Sequence, residues 1–481
     1  MNGKRKLIKQ NTNIVIEFIL NDQKISTPVN GGVAMLDFIR KHQHLTGSKL
    51  VCKEGECGAC SVLVGTLING TIEYQSMTSC IMPIANAQGK HVVTIEGLNM
   101  TALTPIQQAM VNEYGTQCGF CTPGFVVSLS GYLLSKLPLT MEGIVGSIDG
   151  NICRCTGYKS IERAASIILE KVIKEASDRK IERLCELGFL PTYFRTVTHK
   201  VTSLVQHEAS SAGIKTVGGG TDLYVQKPID MYKTDIHAVY DNSKMKEISI
   251  ENGECSFGAS MTMGDLYHST KFNQVLPDSD YIFKLLSSTQ IRNMATIGGN
   301  LINASPIGDF TVLLLALNSR ITLKKKNHTR QIQLKDFYKS YKVIDLHEGE
   351  LLDSIQFDIP SDKSVFHFEK VSQRKYFDIA SVNVASQIEI ENKQMTSSHF
   401  SIGGVGPIPT YLSKLSSFLA GKTLTKELID EALDILQTEI SPISDARGSE
   451  SYKRTLARQL VLAQFLSIDP CIYSIKTLIA V

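Results

Sequence analysis

Short apolar runs and alternation of apolar with polar residues mark the first part of the chain, which is the pattern of β-strands. A hairpin is predicted from a strand over residues 13–20 and a returning strand over 24–28. Residues 35–40 carry apolar side chains at helical spacing, and further strands are predicted over 61–64 and 71–74. The pattern therefore predicts a small domain in which a helix packs on a sheet.

From about residue 104 the apolar spacing becomes that of helices. Thr104-Pro and Thr122-Pro place proline at the first helical position, where its missing N–H leaves no intrahelical bond unmade. A third helix is predicted over 158–176, and residues 174–190, which are mixed in charge, are interpreted as a linker. Beyond them the predicted elements alternate, with strands over 214–217 and 382–390 and helices from 223 and over 426–436. The predicted fold class is multidomain α+β.

Composition limits the classes of partner. A length of 481 residues predicts about three or four domains, and 43% hydrophobic with 20% charged residues is typical of a soluble globular protein. The net charge of +3 gives no indication of nucleic-acid binding. The basic stretch 324–330 is expected to be a solvated hairpin turn. No apolar run approaches the roughly 18 to 20 residues of a membrane helix. From the charge and from this length we expect neither a nucleic-acid nor a membrane partner.

Eight of the eleven cysteines lie between residues 52 and 155, in two quartets of different spacing. The first has the plant-type 2Fe-2S pattern, C-x4-C-x2-C and a distant fourth cysteine, and comprises Cys52, Cys57, Cys60 and Cys80. The second consists of two close pairs, Cys118 with Cys121 and Cys153 with Cys155. Each of these pairs precedes a predicted helix, whose free N–H groups and positive dipole end favour thiolates and a negative cluster. A β-grasp domain and a helical bundle, each with one cluster, are predicted.

Zinc and disulfides are the alternatives for these cysteines. Zinc sites favour paired C-x2-C knuckles, so the first quartet departs from zinc spacing, whereas the second by itself also fits zinc. Disulfides require a secreted setting, and the basic start of the chain, followed by an apolar run that Glu17 interrupts, lacks a signal-peptide core. We therefore expect a reduced, cytoplasmic protein. Cys185, Cys255 and Cys471 are interpreted as ordinary thiols.

Two glycine-rich segments follow the cysteines. Residues 218–220 lie between a predicted strand and helix, where a glycine run either binds a phosphate or makes a tight turn. Residues 290–309 combine adjacent glycines, small hydroxyls and one acidic residue. A flavin dinucleotide needs this mixture, because its pyrophosphate binds backbone N–H groups and its hydroxyls bind short polar side chains. The second segment therefore favours FAD.

These residues carry a family resemblance. Both quartets, with the flanking segments Cys118-Gly-Phe-Cys121-Thr-Pro-Gly and Gly150-Asn-Ile-Cys153-Arg-Cys155-Thr-Gly-Tyr158, resemble the iron-sulfur domains of the xanthine dehydrogenase and aldehyde oxidase family of molybdenum hydroxylases. The glycine-rich segments resemble the family's FAD domain, which is of the vanillyl-alcohol-oxidase type. The resemblance implies a plant-type 2Fe-2S ferredoxin domain (1–95), a helical 2Fe-2S domain (96–175), a linker (176–192), an FAD-binding domain (193–365) and a C-terminal α+β flavoprotein domain (366–481).

The resemblance also implies roles for individual residues. The first glycine-rich segment is expected to wrap the FAD pyrophosphate, and the second, with Asp309, to hold the rest of the dinucleotide. Leu286 falls where the family has a phenylalanine that stacks on the flavin. Lys370 is expected to stabilise the reduced ring, with a solvated lysine at a strand end as the alternative. The implied FAD residues are Thr216, Val217, Gly218, Gly219, Gly220, Thr221, Asp222, Leu223, Leu286, Thr296, Ile297, Gly298, Gly299, Asn300, Asp309, Leu352 and Lys370; no catalytic residue is predicted.

By the same resemblance the chain is expected to relay electrons. They would come from a molybdopterin-binding large subunit, pass through the second and then the first 2Fe-2S cluster to FAD, and leave to NAD or another small-molecule acceptor. The basic and aromatic loop 373–380 means that NAD is not assumed. Oxidation of hypoxanthine or xanthine to urate by a dimer of heterodimers is the leading hypothesis. Aldehyde or N-heterocycle dehydrogenases of the family, a free-standing iron-sulfur flavoprotein reductase and a zinc-stapled scaffold are the alternatives.

Overall fold

A computed structural model describes residues 15–174, 180–204, 215–276, 278–374 and 376–472. The chain divides into two compact units, Met1–Val239 and Tyr240–Val481. The first unit has one hydrophobic core, and the second unit has two. The division falls inside the residues expected to form the FAD-binding domain, because 215–239 pack with the amino-terminal part of the chain.

The amino-terminal sheet of the first unit has the order β2-β1-β5-β3-β4, in which only β1 and β5 are parallel. The predicted hairpin forms, and Asn21 at its turn has a φ of 55°. The predicted helix is one α-turn that continues as the π-helical turn Phe38–His42. The elements are β1 (Ile16–Leu20), β2 (Gln23–Thr27), α1 (Met35–Asp37), β3 (Ser61–Ile68), β4 (Thr71–Thr78) and β5 (His91–Val93). This confirms the β-grasp prediction.

A helical domain completes the core of this unit. It contains α2 (Pro105–Asn112), α3 (Thr122–Leu134), α4 (Met141–Gly146), α5 (Lys159–Ile173), α6 (Lys180–Glu186) and α7 (Val197–Thr202). The side chain of Thr104 accepts from the Gln107 N–H and Gln107 returns the bond, which starts α2 as predicted. Helix α6 lies inside the segment expected to be a linker. Its Leu184 and Cys185 are buried in the core, so this part of the linker is a packed helix.

A buried aromatic cluster lies between the sheet and the residues that follow α6. The ring of His91 is fully buried beside Tyr74, Tyr193 and Phe194. Its Nε2 lies 2.8 Å from the Asn21 carbonyl oxygen and its Nδ1 lies 2.7 Å from the Tyr74 hydroxyl. Because a carbonyl only accepts, Nε2 carries the proton and Nδ1 accepts from Tyr74. Burial lowers the pKa of His91 to about 4.

This histidine is expected to make the protein acid-sensitive. An unfolded imidazole titrates near pH 6.5, whereas His91 in the folded protein titrates near pH 4. Between these two values the unfolded chain binds one proton more than the folded chain. Lowering the pH through this range therefore lowers the free energy of unfolding, by on the order of 3 kcal/mol. Urea unfolding at several pH values should show that His91→Gln removes this part of the slope. His44→Gln, at an exposed position, should keep it. Equal slopes for the two variants would contradict the assignment.

The first unit ends with a short β-α-α-β segment. It consists of β6 (Lys215–Val217), α8 (Leu223–Gln226), α9 (Pro228–Met231) and β7 (Ile236–Ala238), and its two strands are parallel. The strand predicted over 214–217 and the helix predicted from 223 are both present, although residue 214 lies outside the described residues. The glycine run 218–220 forms the connection between β6 and α8. It therefore lies at the carboxyl end of a parallel strand.

The second unit begins with an antiparallel sheet of order β11-β10-β14-β9-β8, flanked by helices. Its elements are β8 (Ile248–Glu251), β9 (Glu254–Gly258), α10 (Met263–Tyr267), α11 (Thr270–Val275), α12 (Ser279–Leu285), α13 (Thr289–Arg292), α14 (Ile297–Asn303), α15 (Asp309–Ala316), β10 (Arg320–Lys325), β11 (His328–Gln333), the small pair β12 (Tyr338–Ser340) and β13 (Val343–Ile344), and β14 (Leu351–Asp358). The basic stretch 324–330 is the exposed end of the β10–β11 hairpin, as predicted.

A second antiparallel sheet, of order β15-β16-β17-β18, packs against helices α16 to α18. The elements are β15 (Ser364–Val371), β16 (Val382–Glu391), β17 (Gln394–Gly403), β18 (Thr410–Tyr411), α16 (Ser413–Leu419), α17 (Lys426–Glu439) and α18 (Glu450–Ile468). The strand and helix predicted in this region are both present. The α+β fold class is confirmed. None of the helices in the described part of the chain has the length and apolarity needed to cross a membrane.

Candidate functional site

The first cysteine quartet converges at one end of the β3–β4 hairpin. Ser61 pairs with Thr78, so the antiparallel register brings Cys60 and Cys80 together just beyond the two strands. The Cys80 thiol is a close neighbour of the thiols of Cys60 and Cys52, and the Cys52 thiol is a close neighbour of Cys57. The proximity of Cys57 and Cys80 lowers the pKa of Cys52, and the same proximity raises the pKa of Cys57 and of Cys80.

The second quartet is assembled by the starts of two helices. Cys121 directly precedes α3, and Cys155 lies shortly before α5. The thiols of Cys118 and Cys155 are 3.6 Å apart, and the thiols of Cys121 and Cys153 are close neighbours. Gln117 donates to the Cys155 carbonyl at 3.3 Å and so links the two loops. Helix starts on both loops confirm the local structure predicted from the sequence.

The donor chemistry of both quartets fits 2Fe-2S clusters. Each quartet offers four thiols in contacting pairs, as two irons with two thiolates each require. Gly58 and Gly119 have φ values of 64° and 78°, which bend the ligand loops as only glycine does readily. Within the described residues, no group of three or more His, Cys, Asp or Glu side chains is placed to hold a single metal ion. The assignment of individual ligands stays a prediction.

The two cysteine loops contact each other directly. The Ile152 N–H donates to the Cys57 carbonyl at 3.0 Å, and the Asn151 amide donates to the Gly58 carbonyl at 3.1 Å. Gly124, near the start of α3, packs against the same carbonyl, and a Cβ at this position would lie 2.3 Å from its oxygen. One hydrogen bond thus joins Cys57 to the residue next to Cys153. Sequence reasoning did not find Asn151 or this contact.

The first glycine-rich segment lies on the β-grasp domain. At the Gly220 position, where φ is 86°, a Cβ would stand 2.9 Å from Pro83 Cδ and 3.0 Å from the Ile81 carbonyl oxygen. The Asn86 amide donates to the Gly218 carbonyl at 3.0 Å. The Asn86 Oδ1 atom is buried and has no hydrogen-bond partner among the residues that the structure describes. An orphaned acceptor beside a loop without side chains fits a bound dinucleotide.

The second glycine-rich segment, residues 290–309, contains the end of α13, all of α14 and the first residue of α15. Thr296 caps this helix by accepting from the Gly299 N–H at 3.2 Å. A Cβ on Gly298 would lie 2.9 Å from Ala259, so close packing already requires this glycine. Gly299 is exposed and the Asn300 Oδ1 accepts from Thr311 at 3.2 Å. The hydroxyl and glycine residues that favour FAD in the sequence therefore also form a capped helix start.

Leu286 ends α12 and is buried. The next residue, Ser287, has a φ of 54°, and its hydroxyl is buried without a partner among the described residues. The guanidinium of Arg292 donates to the carbonyls of Leu286 and Ser287 at 2.9 and 2.8 Å. This buried arginine, which sequence reasoning missed, therefore fixes the turn that presents Leu286. Leu352 pairs with Leu323 in the sheet of order β11-β10-β14-β9-β8 and belongs to the hydrophobic core beside that sheet.

Lys370 is at the centre of a buried polar group. Its side chain is only 2% exposed, and its Nζ lies 2.6 Å from Asp309 Oδ2 and 3.0 Å from the Leu285 carbonyl oxygen. Asn383, opposite Lys370 on β16, donates to Asp309 Oδ1. Burial raises the pKa of Asp309, and Lys370 opposes that rise. The alternative of a solvated lysine at a strand end is wrong. Asn383 was missed, although an asparagine within an apolar strand is a usable signal.

The loop 373–380 is stabilised by hydrogen bonds and an ion pair to its own acidic residue, Asp378. Asp378 accepts from the N–H groups of Arg374 and Ile379 at 2.9 and 3.0 Å, and Arg374 forms an ion pair with it. At the base of the loop, Ser381 donates to the Arg447 carbonyl at 2.9 Å. Residue 375 lies outside the described residues. The acid that closes the loop thus neutralises part of the positive charge noted in the sequence.

Comparison with protein families identifies the domains that contain these sites. Four family models match the chain: a 2Fe-2S iron-sulfur cluster binding domain (18–85), a [2Fe-2S] binding domain (94–166), the FAD binding domain in molybdopterin dehydrogenase (192–361) and the CO dehydrogenase flavoprotein C-terminal domain (367–468). These matches give the chain two 2Fe-2S binding domains, an FAD-binding domain of the kind found in molybdopterin dehydrogenases and a C-terminal flavoprotein domain. Two 2Fe-2S clusters and FAD are accordingly its cofactors.

The curated relatives that this chain resembles are much longer proteins. Xanthine dehydrogenase from Blastobotrys adeninivorans is 27% identical over 92% of this chain, and xanthine dehydrogenase 1 from Arabidopsis thaliana is 27% identical over 91%. The chain spans 40% and 38% of these two relatives. Among solved structures, a carbon monoxide dehydrogenase from Hydrogenophaga pseudoflava matches with 23% identity and a TM-score of 0.49, over 51% of this chain and 86% of that chain.

Proposed function

We propose that the chain is the electron-transfer subunit of a two-component molybdenum hydroxylase, most similar in plan to xanthine dehydrogenase. Electrons from a molybdopterin-binding large subunit would enter at the Cys118, Cys121, Cys153, Cys155 site, continue to the Cys52, Cys57, Cys60, Cys80 site, and leave through FAD to NAD or another acceptor. The observation that carries the proposal is the 3.0 Å hydrogen bond from the Ile152 N–H to the Cys57 carbonyl, which joins the two ligand loops.

The residues of this chain have separable tasks in that function. Each 2Fe-2S cluster carries single electrons, and FAD takes up one or two. Cys118 and Cys155 of the second site are exposed, which supports the approach of a partner there, although Cys153 is buried as Cys60 of the first site is. In the second unit, Asn383 and Lys370 hold the Asp309 carboxylate, and Arg292 holds the Leu286 turn. These groups orient the flavin site and exclude water from it.

The partner and the substrate are inferred from the relatives. From the resemblance to the molybdenum hydroxylases, we place molybdopterin on a large partner subunit. Hypoxanthine or xanthine is the proposed substrate of the assembled enzyme. Co-expression with the large subunit and measurement of urate formation tests this point. Oxidation of aldehydes with no activity on purines would overturn the substrate while leaving the relay in place.

The cofactor prediction is tested on the chain alone. Anaerobic purification should yield about four iron and four sulfide atoms and one FAD per chain, with two reduced-cluster signals in electron paramagnetic resonance. Cys57→Ala should remove one signal and Cys118→Ala the other, each with about half of the iron. Cys471→Ala, an exposed cysteine outside both quartets, should keep both signals. A colourless protein that contains zinc would refute the proposal in favour of the scaffold alternative.

A further inference from the structure

The residues that follow Cys80 form the surface on which the first glycine-rich segment lies. Cys80 is the middle residue of the turn Ser79–Ile81. The next residue, Ile81, places its carbonyl oxygen 3.0 Å from where a Gly220 Cβ would stand, and Pro83 lies 2.9 Å from it. The glycine loop thus touches the chain one residue beyond a predicted cluster ligand. Any side chain at position 220 would separate the two.

A hydrogen bond fixes the other end of the same loop. Asn86, which is 3% exposed, lies in the turn Ile84–Ala87 and donates to the Gly218 carbonyl at 3.0 Å. Its Oδ1 is buried and without a partner within the described residues, so the amide retains an acceptor for a bound group. Both ends of the glycine loop, Gly218 and Gly220, are therefore held by residues 81–86.

Neighbouring contacts leave this arrangement little freedom. The Tyr224 hydroxyl, one turn after the glycine loop, donates to the Gly32 carbonyl at 2.6 Å. Residues 30–35 are in turn hydrogen-bonded to residues 80–86, here called the Cys80 segment, because the Met35 N–H donates to the Met82 carbonyl at 2.8 Å. The Cys80 segment, residues 30–35 and the glycine loop consequently form one packed group. A displacement of the Cys80 segment is expected to displace the loop.

From these contacts we propose that the first 2Fe-2S cluster sets the affinity for FAD. With the cluster assembled, Cys80 is held as a ligand, residues 81–86 take one position, and the glycine loop is ordered before FAD binds. Asn86 is the positioning residue of this coupling. The inference rests on the proposed function, since it assumes a cluster at Cys80 and FAD at the glycine loop. By reciprocity, bound FAD stabilises the first cluster against loss by the same factor.

The test compares two cysteine variants of the full chain, stripped of flavin and titrated with FAD by fluorescence quenching under anaerobic conditions. Cys80→Ala, which removes a ligand of the first cluster, should weaken FAD binding at least about tenfold. Cys118→Ala, the matched variant in the second quartet, should keep the affinity within about twofold. Electron paramagnetic resonance of the same samples identifies the cluster that each variant lost. Equal dissociation constants for the two variants would overturn the proposal.

Asn86→Ala provides a second route, because it leaves all eight quartet cysteines in place. We expect full iron content, unchanged cluster signals and FAD binding weakened at least about fivefold. Asn273→Ala, which removes an amide that donates to the Tyr267 carbonyl at 3.2 Å, is the control and should bind FAD normally. Unchanged affinity in Asn86→Ala overturns the coupling alone. A parent chain that binds neither iron nor FAD overturns the proposed function as well.

Discussion

Replacement of Gly124 by alanine is expected to disrupt both cysteine loops at once. The added Cβ would lie 2.3 Å from the Gly58 carbonyl oxygen and 3.0 Å from the Asn151 amide nitrogen. Gly58 cannot withdraw freely, because its carbonyl accepts from the Ser61 hydroxyl at 2.7 Å and from Asn151 at 3.1 Å. Overpacking of this kind costs about 1–3 kcal/mol or more. We expect Gly124→Ala to lower the free energy of unfolding by about 2 kcal/mol and to reduce the iron content.

The matched control for this substitution is Gly146→Ala. Gly146 ends helix α4, and among the described residues no atom beyond its chain neighbours and the backbone of its own helix lies within 4 Å of the position that its Cβ would take. Alanine there is expected to change the unfolding free energy by less than about 1 kcal/mol, the scale of helix propensity. Denaturant unfolding and iron analysis of the two variants provide the comparison. Similar behaviour of Gly124→Ala and Gly146→Ala would show that the two loops do not depend on the contact at Gly58.

The second large effect is expected at Lys370. Lys370→Met leaves the Asp309 carboxylate buried with its cation removed, and breaking a buried pair in this way costs about 3–5 kcal/mol. Because Asp309 begins α15 and also accepts from Asn383, the variant should lose FAD together with stability. The double variant Lys370→Met/Asp309→Asn removes the stranded charge. It should recover most of the unfolding free energy but not the FAD content.

An exposed lysine close in sequence serves as the control for Lys370. Lys363 lies 2.5 Å from Glu391, but the two side chains are 56% and 50% exposed. Exposed pairs are screened by water and contribute little. Lys363→Met should therefore leave both the unfolding midpoint and the FAD content unchanged. If Lys370→Met behaved in the same way, the buried pair would have no role in stability or in flavin binding.

The iron-sulfur part of the chain was predictable because its signals are local. Ligand spacing such as Cys52 to Cys60 is a property of a short peptide, and Thr104-Pro and Thr122-Pro specify helix starts from neighbouring residues. Both family models for 2Fe-2S domains match where the cysteines predicted them. The segment 290–309 was harder, because hydroxyl and glycine residues suit a phosphate loop and a capped helix equally. Only the bond from the Gly299 N–H to Thr296 decided between the two.

The polar groups that complete the sites could not be read from the sequence. Lys370 and Asp309 are 61 residues apart, and Asn86 and Gly218 are 132 residues apart. Each pair is brought together by packing of separate elements, and nothing near either residue specifies its partner. Helix α6 inside the expected linker 176–192 was not predicted for the same reason, since Leu184 is buried among residues that are distant in the chain.

The sequence by itself determined which cofactors the chain can hold, since thiolate spacing and glycine content are written in consecutive residues. The tertiary structure alone decided how the sites are connected. It joined the cysteine loops through the Ile152 N–H, set the glycine loop on the residues after Cys80, and buried Lys370 against Asp309. The reason is physical: such contacts depend on the packing of residues far apart in the chain, which no local pattern encodes.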